Sequence, residues 1–239
     1  MLVPKITGEA IRQMARKLYP GAANATLNHQ GIVPAQAIIN YAADLEWYAR
    51  IKVKRLKANA KKKTPATRGW AEAFAQQAVQ DELHHLAAFC LFMFGTGARR
   101  GEACALTWGD VELFQKKAVI NQTKIDGHRV AHLSPPVIAA LANTPSNREP
   151  DSLVFHYASG ESVGQVWNKV IERAGIEKLS PHCCRHGFAT SMLQAGIDPK
   201  SVAVHDGWKD VGTVMKFYAH AMDGPTVTDV LFGTKYTQG

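Results

Sequence analysis

Residues 108–133 read WGDVELFQKKAVINQTKIDGHRVAHL. Within them the hydrophobic period drops from that of a helix to that of a strand. Val111 and Leu113, then Ala118-Val119-Ile120, then His128 to Leu133 form three short runs whose side chains alternate. Turns are expected at Gln115-Lys116 and at Asp126-Gly127, and the Asp-Gly pair is the strongest hairpin signal in the chain. Three short strands joined by tight turns make a small antiparallel sheet. On either side the pattern is helical, so the expected class is mainly α with one three-stranded antiparallel sheet, an α+β fold.

Upstream of the sheet, residues 69–95 read as one long helix ended by Gly95-Thr96-Gly97, followed by a short helix through Ala103 and Leu106. Downstream of Pro135 the helical pattern resumes, with punctuation at Ser162, Ser180-Pro181, Gly196, Asp198-Pro199 and Gly207. At the N-terminal end, residues 34–50 repeat Ile38, Ala42, Leu45 and Ala49 on one helical face, and residues 8–18 offer Ala10, Ile11, Met14 and Leu18 as a partner face. Between Ile51 and Arg68 the pattern lapses and ends in Lys63-Thr64-Pro65, as a linker does. The expected organisation is a small helical unit with a basic linker over 1–64 and a larger unit over 65–239.

The chain of 239 residues carries a formal charge of +8 and is 46% hydrophobic and 20% charged, enough for a full core. No apolar run approaches the ~20 residues of a membrane span, and Met1-Leu2-Val3-Pro4-Lys5 lacks a signal-peptide stretch. A cytoplasmic protein without a membrane partner is therefore expected. Cys90, Cys104, Cys183 and Cys184 make a poor disulfide framework in a chain of this length, so reduced thiols are expected.

The charge is unevenly placed. Residues 1–70 hold 13 Lys/Arg against 3 Asp/Glu, whereas residues 71–239 hold 15 against 17. From Arg50 to Arg68 nine cations occur without one acidic residue. A solvated linker explains an isolated lysine run. Lys52, Lys54, Arg55, Lys57, Lys61, Lys62 and Lys63 beside Trp47 and Tyr48 read better as a strap that tracks phosphates, because each neutralised phosphate releases counterions and adds sequence-independent affinity. The strap lacks a sustained apolar face, which favours nucleic acid over a membrane surface.

Several stretches carry side chains suited to chemistry. Gly97-Ala98-Arg99-Arg100-Gly101-Glu102 puts an arginine at a helix start, where backbone N–H groups already favour anions; a surface arginine paired with Glu102 is the plain alternative, and Arg100 fits it. In Ser180-Pro181-His182-Cys183-Cys184-Arg185-His186, Ser180 as cap and Pro181 at the first helical position place His182 and Arg185 on one face, aimed at one anion. Two His and two Cys within five residues also raise a zinc site, but adjacent cysteines face apart and no C-x-x-C is present, so no metal is expected and Cys183 and Cys184 read as core. Gly160-Glu161-Ser162-Val163-Gly164 matches the hydrolase elbow G-x-S-x-G after a strand-like Leu153-Val154-Phe155. That elbow needs a parallel sheet, which is not expected here, and Ser162 with Gln165 reads instead as a capping box. After Asp206-Gly207-Trp208, the residues Val214, Phe217 and Ala221 share a helical face, and by composition alone Tyr218 beside them is a core residue.

Taken in order, Arg99 in T-G-x-R-x-x-E (Thr96 to Glu102), Lys124 in Gln122-Thr123-Lys124 between the second and third strands, His182-x-x-Arg185, Trp208 and Tyr218 in Y-x-H resemble the tyrosine recombinases, or phage integrase family. The resemblance covers about residues 65–239 as the catalytic domain, and residues 22–64 resemble the end of a core-binding domain. It implies a DNA strand transferase that needs no cofactor and serves DNA integration and recombination of a phage or mobile element. Tyr218 would be the nucleophile that forms a 3′-phosphotyrosine, and Arg99 and Arg185 would clamp the phosphate oxygens. Lys124 would be the acid toward the leaving 5′-oxygen, with His182 assisting proton transfer. Most members carry His at the position of Trp208, which would hydrogen-bond or buttress the nucleophile. The implied partner is double-stranded DNA at a specific recombination site, bound by a tetramer in which the tail with Val227, Val230 and Leu231 docks on a neighbour; a free monomer is the alternative. A type IB topoisomerase-like DNA relaxation, or a noncatalytic DNA-binding fragment, are the competing functions.

Overall fold

A computed structural model describes residues 6–58, 64–121, 127–157, 160–208, 211–212 and 214–215, with only the backbone at 160, 161 and 206. Two compact units emerge, residues 1–62 and 63–239.

In the first unit, α1 (Gly8–Leu18) starts where Thr7 Oγ1 accepts from the Ala10 N–H at 3.1 Å. Its buried line is Ile11 and Ala15, while Ala10, Met14 and Leu18 are exposed. The expected face was too wide for a specific reason. The chain after α2 (Asn24–Thr26) runs through a π-helical turn, Leu27–Ile32, whose Gly31 lies so close to Ala15 that a Cβ there would sit 2.6 Å from the alanine methyl. That close approach narrows the contact to the Ile11–Ala15 line.

Helix α3 (Val33–Asp44) stops six residues before the expected end, with Glu46 at φ +60° in the turn that follows. Its expected apolar face is not the packed one: Ile38 is 69% exposed and Leu45 is also exposed. Besides α1, whose Ile11 and Ala15 share its core, α3 packs against the segment 51–58. Val53 is buried between them, its N–H donating to Gln36 Oε1 at 3.0 Å, and Ile51 N–H donates to Asn40 Oδ1 at 3.1 Å. Ala35 and Ile39, on that same side, join Ile11, Ala15, Ile32 and Val53 in the unit's core.

In the second unit the single helix expected over 69–95 is two. α4 (Arg68–Gln80), capped by Thr67 Oγ1, and α5 (His84–Thr96) are separated by a reversal through Glu82, which adopts φ +60° although it is not glycine. α5 ends at Gly97, in the left-handed conformation at φ +66°, where glycine is the residue of least strain. α6 (Arg100–Cys104) and a 3₁₀ turn (Trp108–Asp110) lead into the sheet. β1 (Val111–Glu112), β2 (Lys117–Asn121) and β3 (His128–His132) pair antiparallel in the order β1-β2-β3, with Val119 opposite Val130. The Asp126 half of the expected Asp-Gly turn lies outside the described residues.

Further along, among the described residues, come α7 (Pro135–Ala142), α8 (Gly160–Ala174), α9 (His182–Gln194) and α10 (Pro199–Asp206). α8 starts at Gly160, so Ser162 lies inside the first turn rather than at a cap. Leu153 forms an isolated bridge to Thr107, and among the described residues no sheet strand leads into this G-x-S-x-G. α9 starts at His182 with Pro181 in helical conformation, one residue later than expected; the Ser180 hydroxyl lies 3.7 Å from Cys183 Sγ, and its carbonyl accepts from Cys183 N–H.

The core gathers α4, α5, α8 and α9 around aromatic rings: Phe74 packs on Trp167 at 4.1 Å between centroids, and Phe89 meets Phe155 edge-on at 5.4 Å. Trp70 and Trp167 donate their indole N–H groups to the carbonyls of Glu177 and Leu179, both at 2.8 Å, so neither buried ring leaves a donor unpaired. All four cysteines are buried and unbridged, with Cys90 on α5 and Cys184 on α9 in sulfur contact at 4.0 Å. Burial pushes the Cys90 thiol well up, which keeps it in the neutral form suited to a core. No described helix is long and apolar enough to cross a membrane.

Candidate active site

The end of α5 sets the first part of the site. Thr96 Oγ1 donates to Phe92 O at 2.6 Å and accepts from Ala98 N–H at 3.3 Å, which fixes the turn through Gly97. Arg99 then precedes α6, where Glu102 accepts from its backbone N–H at 2.8 Å and from its Nη1 at 2.5 Å. The Glu102 side chain is fully buried, whereas that of Arg99 is 26% exposed. The carboxylate thus holds the arginine while its side chain stays partly exposed. Arg100 is exposed, and the residue that pairs with Glu102 is Arg99. The other end of the Arg99 fork, Nη2, donates to Gly207 O at 3.0 Å.

Arg185 completes a reciprocal arrangement. It lies on the second turn of α9 and is 1% exposed, yet its Nη1 donates to Gly97 O and its guanidinium sits 4.3 Å above the Trp208 ring. Arg185 therefore binds the loop that leads to Arg99, and Arg99 binds the loop that leads to Trp208. Taking a guanidinium out of water costs several kcal/mol unless its donors are met, so these partners fix its position. His182, half-buried, is three residues before Arg185 on the same helix, with its ring edge-on to His186 at 4.5 Å. The structure thus brings Arg99, Arg185 and Trp208 together, with His182 on the adjoining turn. Lys124 and Tyr218 lie outside the described residues, as does the tail with Val227, Val230 and Leu231. Just before the tyrosine, Val214 is buried against Ala189, Leu193, Val202 and Ala203.

One residue of this arrangement escaped the reading of the sequence. Arg129 on β3 is 8% exposed and donates to Thr96 O at 3.0 Å and to His205 O at 3.1 Å. A single side chain of the sheet so ties the end of α5, three residues before Arg99, to the end of α10, three residues before Trp208. The signal was present: on β3 the inward positions are 129 and 131, so Arg129 is in phase with buried Ala131 while Val130 faces out.

Among the described residues no group of three or more His, Cys, Asp or Glu is placed to hold a metal ion. The basic segment of the first unit is partly described: Lys52, Lys54, Arg55 and Lys57 are all exposed, and Lys61, Lys62 and Lys63 lie outside the described residues.

Comparison with known proteins gives these features a family. Residues 71–224 match the model of the phage integrase family. The chain is 26% identical over 214 residues to the prophage integrase IntR of Escherichia coli K12, covering 72% of this chain and 51% of that protein. It is 32% identical over 124 residues to the tyrosine recombinase XerD of Mycobacterium tuberculosis, covering 46% of this chain and 40% of that one. The chain spans about half the length of such curated relatives. Among solved structures, the Tn1549 transposon integrase in complex with a circular intermediate DNA superposes with a TM-score of 0.74 at 16% identity, over 97% of this chain and 87% of that one. The catalytic domain of bacteriophage HP1 integrase superposes at 0.55 with 19% identity, over 72% of this chain and 96% of that one. The helical fold with its small antiparallel sheet is the fold of these proteins, and the chain belongs to the phage integrase family.

Proposed function

We propose that this chain cleaves and rejoins double-stranded DNA at a specific recombination site through a 3′-phosphotyrosine, in integration and recombination of a mobile element. The observation that carries the reading is the reciprocal hold of Arg99 and Arg185 on each other's loops, with Trp208 stacked on Arg185. Two guanidinium groups fixed before substrate arrives suit a phosphodiester whose nonbridging oxygens gain charge in a pentacoordinate transition state. The buried Glu102 pairs with Arg99 and orients it.

In the proposed reaction the phenolic oxygen of Tyr218 attacks phosphorus, the bond to the 5′-oxygen breaks, and Lys124 gives that oxygen a proton. The product is a 3′-phosphotyrosine and a free 5′-hydroxyl. Attack by a 5′-hydroxyl reverses the step, so the bond energy is kept and no cofactor is consumed. His182 would take the phenolic proton, and Trp208 would pack against the nucleophile. The unit over residues 1–62 is read as the end of a core-binding domain, its exposed Lys52, Lys54, Arg55 and Lys57 as phosphate contacts, and the working form as a tetramer on DNA.

The test is a nicked suicide duplex carrying a candidate site, with adduct followed by denaturing gel. A covalent adduct that disappears in Tyr218→Phe is expected. An adduct that persists in that variant contradicts the assignment of the nucleophile.

A further inference from the structure

The segment 51–58 belongs to no helix or strand, and side chains supply the hydrogen bonds that hold its backbone. Asn28 accepts from Leu56 N–H at 2.9 Å and donates back to Leu56 O at 2.8 Å, a two-point clamp of the kind one strand offers another. Asn24 Nδ2 donates to Lys57 O at 2.8 Å, and Arg12 Nη1 donates to Lys54 O at 3.2 Å. Gln36 and Asn40 receive Val53 N–H and Ile51 N–H. Side chains at five positions on four helical elements thus hold the segment along its length, and Val53 anchors it in the core.

The cations of the segment are left uncommitted. Lys52 and Lys54 flank the buried Val53 and are exposed, as are Arg55 and Lys57. Among the described residues none of these four is in an ion pair, whereas the nearby Arg12 and Arg50 are paired with Glu9 and Asp44. A flexible polycation must be ordered when it binds, and that ordering subtracts from affinity. Here a backbone is ordered in advance while its charges stay available.

We propose that Asn28 and Gln36, helped by Asn24, Asn40 and Arg12, are a positioning clamp that pre-orders residues 51–57 as a rail for one phosphodiester strand of DNA. This rests on the reading of the chain as a DNA-binding protein. Asn28 and Gln36 carry no charge, so they set affinity without setting the number of phosphates contacted. The ordinary alternative is a neutral packing role that binding does not use.

The experiment measures, for the full chain, binding of a fluorescein-labelled duplex of arbitrary sequence across a salt series, with hydrogen exchange of residues 51–57 alongside. In Asn28→Leu combined with Gln36→Met, exchange over 51–57 should accelerate and affinity should fall about tenfold at every salt concentration, with the slope of log K against log salt unchanged. Affinity within twofold of the parent while exchange accelerates overturns the clamp. Removal of the charges by Lys52→Ala, Lys54→Ala, Arg55→Ala and Lys57→Ala should instead flatten the slope by about 3 to 4. A slope left unchanged by that variant overturns the reading of the segment as a DNA contact, an outcome distinct from failure of the clamp alone. If the double variant also loses amide protection in α1, Gln36→Met alone, which deletes one acceptor at nearly constant volume, is judged by the same two readouts.

Discussion

The cations of residues 51–58 and those around Gly97 and Gly207 are the same kinds of side chain held in opposite ways. In the basic segment the backbone is fixed by side-chain amides and the charged groups are exposed. Around the two glycines the charged groups are themselves fixed: Arg185 is buried on Gly97 O and Trp208, and Arg99 is held by Glu102 and Gly207 O. On the proposed reading the first arrangement presents charge to a partner whose exact position varies along a chain of phosphates. The second holds each charge against named partners. Net charge registers only the first, because the part of the chain with the laced arginines, residues 71–239, has an acidic excess of two.

This contrast can be broken from one side at a time. The largest loss of stability is expected from Gly187→Ala. A Cβ there would lie 2.1 Å from Ala66 O and 2.8 Å from the Phe94 ring, and a backbone carbonyl cannot swing aside as a flexible side chain can. The substitution pushes on α9 two residues beyond Arg185 and should cost about 3 kcal/mol. Denaturant unfolding of the second unit checks it. Nonspecific DNA affinity below the new transition should be retained, since the basic segment belongs to the other unit.

Arg129→Ala comes next. It leaves Thr96 O and His205 O without that donor, at about 2 kcal/mol. It should also slow adduct formation at saturating DNA by more than tenfold, because the ends of α5 and α10 are no longer tied. Arg129→Lys, which can reach one of the two carbonyls, should recover part of the rate. An Arg129→Ala protein of lowered stability but unchanged adduct rate would reduce the residue to a structural tie.

The smallest effect concerns pH. His85 stacks on His156 at 4.0 Å and donates through Nδ1 to Val154 O at 3.1 Å. Burial lowers its pKa below the ordinary histidine value. The unfolded chain therefore takes up a proton first as pH falls below about 6.5, and the contribution of His85 to stability, complete above that pH, is lost as pH falls toward the folded pKa. His85→Asn should flatten the fall of the unfolding midpoint in that window and leave DNA binding by the first unit unchanged.

The sheet was legible because Ala118, Ile120, Ala131 and Leu133 repeat at a period no helix shares, and the start of α10 because Asp198-Pro199 is a cap followed by a first-turn proline. The reversal between α4 and α5 was not, since Glu82 takes a left-handed conformation with no glycine or proline to announce it. The packed side of α3 was missed because it packs in part against the segment 51–58, gripped by Gln36 and Asn40, and polar residues at a contact do not register as an apolar face. In the site, Arg99, His182, Arg185 and Trp208 stood in recognisable order, and the structure adds which carbonyl and ring each arginine touches. Arg129 was hidden by its charge: only its phase with Ala131 and Leu133 marks it as inward.

The most direct test compares binding with chemistry in one assay, the rate of covalent adduct formation on a nicked duplex as DNA is raised to saturation. Arg185→Lys keeps the charge but not the fork, and should slow the saturated rate about a hundredfold while the DNA concentration at half-saturation stays within threefold. The variant with Lys52→Ala and Lys54→Ala should do the reverse, needing more DNA but reaching the parental rate. A rate for Arg185→Lys that recovers as DNA is added, or a saturated rate lost in the lysine variant, would contradict the division between cations that bind by number and cations that act by position.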